Sequence, residues 1–337
     1  MGAVASLGPP TKAGASTIPC PFPIEGKGLE LQRQAVHLAP MTGAPARTSE
    51  PVADCAITPA LARDLLRDQH PDLAGLQIVL AESGWDNEVM RLGDDLALRL
   101  PRRAVAAQLL RNEQIWLPIV TPGLPLPASA PVRIGTPALG YPYPWSVVPW
   151  FEGQPSDLAP PDAEQGPVLA QFLRALHQPA PADAPSNRVR GVPLAERSAA
   201  FETQYAASER VGGPLPPHLR AVWEEALGAP IDLPRSWFHG DLHGRNVIVR
   251  DGRLVAVIDW GDIAAGDPAC DLAAVWMLLP ELAARRAAMA AYGASDATWT
   301  RARGWAALMS VMLLAITDNP RMPAMARRIV SRLADGP

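Results

Sequence analysis

The chain has 337 residues, of which 48% are hydrophobic and 19% charged, and its formal net charge is −4. This composition predicts a globular protein with enough chain to bury a core, and the mild acidity argues against sequence-independent nucleic-acid binding. No apolar stretch is long enough for a membrane span, the N-terminus lacks a signal-peptide pattern, and three scattered cysteines indicate neither disulfides nor zinc. We therefore expect a cytoplasmic protein that binds neither nucleic acids nor membranes. A monomer is favoured over an oligomer, but the sequence does not determine the oligomeric state.

Residues 1–52 are predicted to form a disordered leader, because they are rich in proline, glycine, alanine, serine and threonine and show no sustained periodicity. A helix is expected to begin at Thr58-Pro59, where a capping threonine precedes a proline. The predicted elements that follow are the helix 58–67, the strands 77–82, 88–92 and 96–100, the helix 104–117, and the strands 132–134 and 145–150. These elements predict a β-rich N-terminal lobe over residues 53–150.

Residues 151–337 are predicted to form a mainly helical C-terminal lobe. Apolar residues recur at helical spacing from Val168 to Leu176, and Asp251-Gly252 forms a turn between two strand-like runs. The other predicted elements are the helices 193–208, 217–227 and 272–279, the strands 246–250 and 254–258, and further helices towards the C-terminus. A small β-rich lobe followed by a larger helical lobe is a two-lobed α+β arrangement.

One short part of the sequence carries most of the chemical information. Asp241 and Asn246 stand five residues apart just before a predicted strand, and Asp259 ends the next strand. Phosphoryl transfer from a nucleotide requires one carboxylate that receives or orients the attacking hydroxyl group. It also requires a second carboxylate and an amide oxygen that hold Mg²⁺ against the triphosphate. A loop followed by a strand that ends in aspartate brings these groups to one edge of a hairpin.

The same segment matches the kinase pattern H-R-D-L-x-x-x-N followed by D-F-G. It reads His239-Gly240-Asp241-Leu242-x-x-x-Asn246 and then Asp259-Trp260-Gly261, with G-D-P-A-C-D-L-A over Gly266–Ala273. In these motifs the chain resembles the aminoglycoside phosphotransferase family, which has a protein-kinase-like fold and the hallmark H-G-D-x-x-x-x-N with I-D-W downstream. The run Leu98–Arg103 is also similar to the macrolide phosphotransferases. The resemblance implies a kinase that transfers the γ-phosphate of ATP or GTP to a hydroxyl group of a small molecule, such as an aminoglycoside- or macrolide-type antibiotic.

The resemblance implies a role for each central residue of the motif. Asp241 is the base or the residue that orients the hydroxyl group, and Asn246 and Asp259 are the Mg²⁺ ligands. Gly240 replaces the arginine that contacts a phosphorylated activation loop in protein kinases, and the sequence has neither an A-P-E motif nor room for such a loop. Small molecules rather than proteins are therefore the expected acceptors.

Four further residues of these motifs are predicted to support the site. His239 is expected to shape the loop by hydrogen bonding rather than to react, and His243 lies near the site or faces solvent. Asp262 either faces the substrate or caps the segment that follows. Asp271 is expected to be structural, as an acidic residue that opens the apolar helix Leu272–Leu279.

The predicted nucleotide site has an unusual cation. The only two lysines, Lys12 and Lys27, lie in the leader, so an arginine stands where the third strand of kinases has a lysine. Arg99 is therefore the expected ligand of the α- and β-phosphates, since arginine also binds phosphate. Arg102 and Arg103 remain alternatives. Glu113 on the next helix is expected to pair with Arg99.

Two more segments are expected to contact the nucleotide. Ser83, Gly84 and Asn87 belong to a turn between two strands, where main-chain N–H groups can cover phosphates. The strand that ends near Pro149 fits the hinge between the lobes, and Pro149 itself has no N–H group to donate. Recognition of adenine or guanine is expected from the main-chain groups of Val148, Trp150 or Phe151.

Two other interpretations of the sequence remain open at this stage. His239-x-Asp241-x-His243 has the spacing of a metal-ligand cluster and is also compatible with a metal-dependent hydrolase. Arg99 in place of lysine is compatible with a catalytically degenerate kinase fold that only binds a ligand. The identity of the acceptor and the choice between ATP and GTP are not determined by the sequence. Tryptophans in the second half could line an apolar pocket, but packing in the core is the expected use for most of them.

Overall fold

The computed structural model describes residues 52–335, so the predicted leader lies outside the described residues except for Val52. The first described helix, α1 (Pro59–Gln69), begins as predicted, because the Thr58 hydroxyl accepts the N–H of Leu61 at 3.2 Å. The elements that follow are β1 (Ile78–Ser83), β2 (Asn87–Leu92), β3 (Leu96–Pro101), α2 (Ala104–Val120), β4 (Arg133–Gly135) and β5 (Trp145–Pro149). The five strands form one antiparallel sheet in the order β1-β2-β3-β5-β4. The predicted strands of this lobe are confirmed to within one residue at each end.

The rest of the described chain is mainly helical, as predicted. Its helices are α3 (Gly166–Leu176), α4 (Ser198–Gly212), α5 (Pro217–Leu227), α6 (Ala269–Leu272), α7 (Ala274–Leu278), α8 (Leu282–Tyr292), α9 (Asp296–Leu314) and α10 (Arg321–Leu333), with 3-10 turns at Ala163–Gln165 and Leu194–Arg197. Its strands are β6 (Gln154–Pro155), β7 (Ser236–Phe238), β8 (Val247–Arg250), β9 (Arg253–Val257) and β10 (Ala264–Gly266). Strands β6, β8 and β9 form a three-stranded sheet, and β7 pairs with β10. No helix in residues 52–335 is long and apolar enough to cross a membrane.

Each lobe has its own hydrophobic cluster. The smaller cluster packs α1 against the five-stranded sheet, and the larger one fills the space between the helices and the β8–β9 hairpin. The tryptophans of the second half belong to the larger cluster and are at most 6% exposed, namely Trp223, Trp237, Trp260, Trp276, Trp299 and Trp305. They pack in the core, as expected, rather than line an open pocket.

The helix predicted over Leu272–Leu279 is wrong in one respect. The segment forms two short helices, α6 and α7, which meet at Ala273, and Asp271 lies inside α6 rather than ahead of the apolar helix. The Asp271 carboxylate does not bind N–H groups of its own helix. It accepts hydrogen bonds from the loop that precedes Asp241, which is described below.

Candidate active site

The hairpin of β8 and β9 brings three of the predicted residues to one place. Val247 begins β8 and pairs with Val257 at the end of β9, so Asn246 and Asp259 flank the same end of the hairpin. The N–H of Ile258 donates to the carbonyl of Asn246 at 2.9 Å, which fixes this arrangement. The Asn246 amide nitrogen Nδ2 donates to the carbonyl oxygen of Asp241 at 2.9 Å and to its Oδ2 at 3.2 Å. The loop and the hairpin therefore present Asp241, Asn246 and Asp259 together.

The start of this loop is held by Asp271, whose role the sequence did not indicate. The main-chain N–H groups of His239 and Gly240 donate to its two oxygens at 2.6 and 2.8 Å. Nδ1 of His239 accepts the N–H of Asp241 at 3.2 Å, so its Nε2 carries the proton and donates to the carbonyl of Ile258 at 3.0 Å. His239 is fully buried and both of its ring nitrogens are used, which places it as part of the loop framework.

Arg190 and His243 lie on either oxygen of the Asp241 carboxylate. Nη2 of Arg190 donates to its Oδ1 at 3.2 Å, and Nε2 of His243 lies 3.4 Å from its Oδ2. Burial acts to raise the pKa of Asp241, but the charges of His243 and Arg190 outweigh it and lower this pKa below its usual value. Burial raises the pKa of nearby Asp262 in spite of Arg190. Asp241 is therefore the carboxylate that stays ionised more readily.

Arg99 connects the two lobes at the site. Its Nη1 donates to Glu113 on α2, and its Nη2 donates to Oδ1 of Asp259 at 2.8 Å. Burial raises the pKa of Glu113 to about 7, although the Arg99 guanidinium opposes this shift. The two alternatives point elsewhere: Arg102 donates to the carbonyl of Gly84 at 2.6 Å, and Arg103 to Oδ1 of Asp86 at 2.7 Å. Among the three arginines, Arg99 has the contacts expected of the strand cation.

The turn between β1 and β2 is held by hydrogen bonds among its own residues. The N–H of Gly84 donates to the carbonyl of Asn87 at 2.9 Å, and the Ser83 hydroxyl donates to Glu88 at 2.8 Å. Asn87 is buried, with its Oδ1 unpaired among the described residues. Burial raises the pKa of Asp86 in the same turn, and the charge of Asp259 adds to that rise, so the turn lies within electrostatic range of the hairpin end.

In the hinge, two of the three residues predicted to bind the base through main-chain groups, Val148 and Trp150, direct these groups towards β3 and the residue before it instead. The N–H of Trp150 donates to the carbonyl of Asp95 at 2.7 Å and is therefore not free to bind a purine. Val148 lies two residues earlier and pairs with Ala97 of β3, so its main-chain groups point the same way. For Phe151, no described residue accepts the main-chain N–H. The sequence alone could not show which of these N–H groups are free, because it does not reveal the register between β3 and β5.

Several contacts of the site have no signal in the sequence motifs. Arg190 and Asn187 belong to the irregular segment after α3, and Asn187 Nδ2 donates to Oδ1 of Asp262 at 2.7 Å. Arg245 of the loop forms an ion pair with Glu82 of β1, which is a second link between the lobes. These pairs join residues far apart in the chain, so spacing alone does not reveal them.

The geometry of the site does not support the alternative interpretation of the chain as a metal-dependent hydrolase. No group of three or more His, Cys, Asp and Glu side chains in residues 52–335 is placed to hold a metal ion. The ring nitrogens of His239 face Ile258 and the Asp241 main chain, and Nδ1 of His243 accepts the N–H of Arg245 at 3.2 Å. The spacing His239-x-Asp241-x-His243 therefore does not bring the two histidines together as metal ligands.

Comparison with known proteins identifies the family of the chain and its fold. The family model described as "Phosphotransferase enzyme family" matches residues 77–305, which is well over half of the chain. Aminoglycoside 2'-phosphotransferase-IIIa, solved as its GDP complex, superposes with a TM-score of 0.59 at 19% identity, covering 82% of this chain and 98% of that one. Macrolide 2'-phosphotransferase MphH from Brachybacterium faecium superposes with a TM-score of 0.52 at 23% identity, covering 76% and 89%. No curated protein sequence matches the chain. The chain therefore belongs to the phosphotransferase enzyme family, with its two-lobed, kinase-like fold, and is a phosphotransferase of small molecules.

Proposed function

We propose that this phosphotransferase uses Mg²⁺ and either ATP or GTP to phosphorylate a hydroxyl group of a compact substrate. The observation that carries the proposal is the convergence of Asp241, Asn246 and Asp259 at one end of the β8–β9 hairpin. Positioning and charge stabilisation account for most of the catalysis in phosphoryl transfer, so a rigid set of such groups is what the reaction needs.

In the proposed reaction the hydroxyl oxygen of the acceptor forms a bond to the γ-phosphorus. The bond between the γ-phosphorus and the β–γ bridging oxygen breaks, and the nucleoside diphosphate leaves with that electron pair. Asp241 orients the hydroxyl group and accepts its proton. The side chain of Asp241 is 25% exposed, and the lowered pKa keeps it ionised, which is the form that can orient the hydroxyl group and receive its proton.

The residues present fit an Mg²⁺ ion. Asn246 uses Nδ2 for Asp241, which leaves its Oδ1 as an oxygen ligand, and Asp259 has one oxygen that Arg99 does not bind. The Asp259 side chain is 53% exposed, so this oxygen is accessible. Mg²⁺ is commonly held by one or two protein oxygens together with substrate phosphates and water. When bound, the ion would neutralise charge on the transferred phosphoryl group.

The nucleotide is proposed to bind between the sheet and the catalytic loop. Arg99 would contact the α- and β-phosphates while Glu113 holds its guanidinium, and the free N–H of Phe151 would bind the purine. The turn of Ser83, Gly84 and Asn87 would cover the phosphates after its internal N–H bond to Asn87 opens. The GDP complex of aminoglycoside 2'-phosphotransferase-IIIa supports a purine nucleotide in this fold.

The proposed acceptor is an aminoglycoside- or macrolide-type compound, as the names of the similar structures suggest. The test incubates the protein with Mg²⁺, either ATP or GTP, and kanamycin, gentamicin or a macrolide, and measures nucleoside diphosphate release and the mass of the acceptor. We expect one acceptor to gain a single phosphoryl group, and Asp241→Asn to lose this activity by about 100-fold or more. Equal diphosphate release by the wild type and Asp241→Asn would refute the proposal.

A further inference from the structure

The segment from Asn187 to Arg190 is a rigid turn beside the proposed active site. Oδ1 of Asn187 accepts the N–H groups of Val189 and Arg190 at 2.8 and 3.1 Å. The next residue, Gly191, has a positive φ of 61°, and its carbonyl accepts the N–H of Asp267 at 2.8 Å. The turn is therefore fixed internally by Asn187 and anchored to the body of the lobe at Gly191.

This turn presents two side chains to the carboxylates of Asp241 and Asp262. Arg190 donates through Nη2 to Oδ1 of Asp241 at 3.2 Å, and its Nε lies 3.8 Å from Oδ2 of Asp262. Asn187 donates through Nδ2 to the other oxygen of Asp262 at 2.7 Å. The arginine side chain is 9% exposed, whereas the side chains of Asp241 and Asp262 are 25% and 27% exposed. Arg190 therefore lies behind carboxylates that remain open to a ligand.

The hydrogen bonds of Arg190 differ from those of a buried arginine that serves only the fold. Arg301 is also buried, with its side chain 2% exposed, and its Nε, Nη1 and Nη2 are all paired, with Asp267, Asp232 and a carbonyl among their partners. In Arg190, by contrast, both Nε and Nη1 have no hydrogen-bond partner among the described residues, whereas the other described arginines with a buried unpaired donor lack a partner only at Nε. Unpaired buried donors reduce stability, and such deficits concentrate at functional sites.

We propose that Arg190 is a positioning residue for phosphoryl transfer, which holds the Asp241 carboxylate in its reactive orientation while Asn187 holds Asp262. The inference rests on the proposed role of Asp241. A charged group fixed behind a carboxylate limits its rotation, and misplacement of a reacting group by about 1 Å lowers turnover by about 100-fold. The planar guanidinium faces two carboxylates at once, which the single ammonium of a lysine does not reproduce.

The test compares Arg190→Met, Arg190→Lys and the matched control Arg188→Met, whose arginine is exposed in the same turn. Turnover and KM are measured as Mg²⁺-dependent diphosphate release from ATP and GTP, with water as the acceptor, and thermal unfolding is recorded for each variant. We expect Arg190→Met to lower kcat by about 10- to 100-fold, with KM for the nucleotide within about threefold of the wild type. Arg190→Lys is expected to retain the fold and to lower kcat by about fivefold or more. Arg188→Met should behave as the wild type.

The outcomes separate this inference from the proposed function. If Asp241→Asn is inactive while folded Arg190→Met keeps wild-type kcat, Arg190 does not position Asp241 and only this inference fails. If Arg190→Met does not fold, Arg190→Lys decides, and wild-type kcat in that variant overturns the inference. A rise in KM with unchanged kcat also overturns it, since that pattern would mean loss of uniform binding. If Asp241→Asn retains full turnover, the proposed function itself fails.

Discussion

The contact between Asp271 and the catalytic loop provides the sharpest test of how the fold supports the site. Asp271 is 1% exposed, and its two oxygens accept the N–H groups of His239 and Gly240. Asp271→Asn keeps the shape of the side chain but turns an NH₂ group towards one of these donors. One buried N–H then loses its partner, at about 1–3 kcal/mol, and the other hydrogen bond is no longer charge-assisted, at about 1 kcal/mol. We expect the free energy of unfolding to fall by about 2–4 kcal/mol.

The measurement is urea unfolding of the wild type, Asp271→Asn and the control Asp183→Asn, whose carboxylate is exposed. Because the weakened bonds hold the residues directly before Asp241, diphosphate release should decrease together with stability. The control should change the free energy of unfolding by less than about 0.5 kcal/mol. A loss below about 1 kcal/mol in Asp271→Asn, with full activity, would refute the idea that this carboxylate fixes the loop.

Two further variants test the environment of the site. Gly240 has a φ of +91°, and a Cβ there would lie 2.9 Å from Cβ of Asp262, so Gly240→Ala should reduce both stability and turnover. Gly293→Ala is its control, because φ is +75° but a Cβ has open space, and equal losses in thermal midpoint for the two variants would contradict the proposed overlap. Burial raises the pKa of Glu113 from 4.5 to about 7 on folding, so between these values the folded state binds a proton that the unfolded state has released. The free energy of unfolding should therefore fall as pH rises through this window, and Glu113→Gln should flatten the dependence in urea titrations without nucleotide; an unchanged slope would argue against this assignment.

Local patterns in the sequence were sufficient to predict much of the fold. Thr58-Pro59 predicted where α1 begins, because a side-chain cap and a preset φ act within one turn of the chain. The Asp251-Gly252 turn predicted the hairpin that brings Asn246 and Asp259 to one end, because a two-residue turn pairs the strand residues next to it. A bulge between Ile248 and Val249 shifts the register further along, so that Val247 pairs with Val257, and the sequence did not indicate this shift.

Features that depend on tertiary contacts were not predictable in the same way. Arg190 meets Asp241 across 51 positions of sequence, from a segment that has neither a motif nor a regular period. The direction of the Trp150 N–H depends on the register between β3 and β5, which a shift of one residue would reverse. Asp271 was predicted to begin the helix that follows it, because helix capping can be inferred from neighbouring residues. The N–H groups that its carboxylate binds lie 31 and 32 residues away, so no local pattern indicates them.

Arg99 was the one residue that favoured a degenerate protein, and its contacts argue for the opposite. A guanidinium has several N–H donors in a fixed plane, and here Nη1 serves Glu113 while Nη2 serves Asp259. Arg190 faces Asp241 and Asp262 in the same manner from the other side of the site. Each arginine thus faces two carboxylates and carries a permanent charge. The only lysines of the chain lie before residue 52, so guanidinium groups supply the positive charge on both sides of the site. The two buried arginines thus lie against four carboxylates, which include the proposed base Asp241 and the proposed Mg²⁺ ligand Asp259.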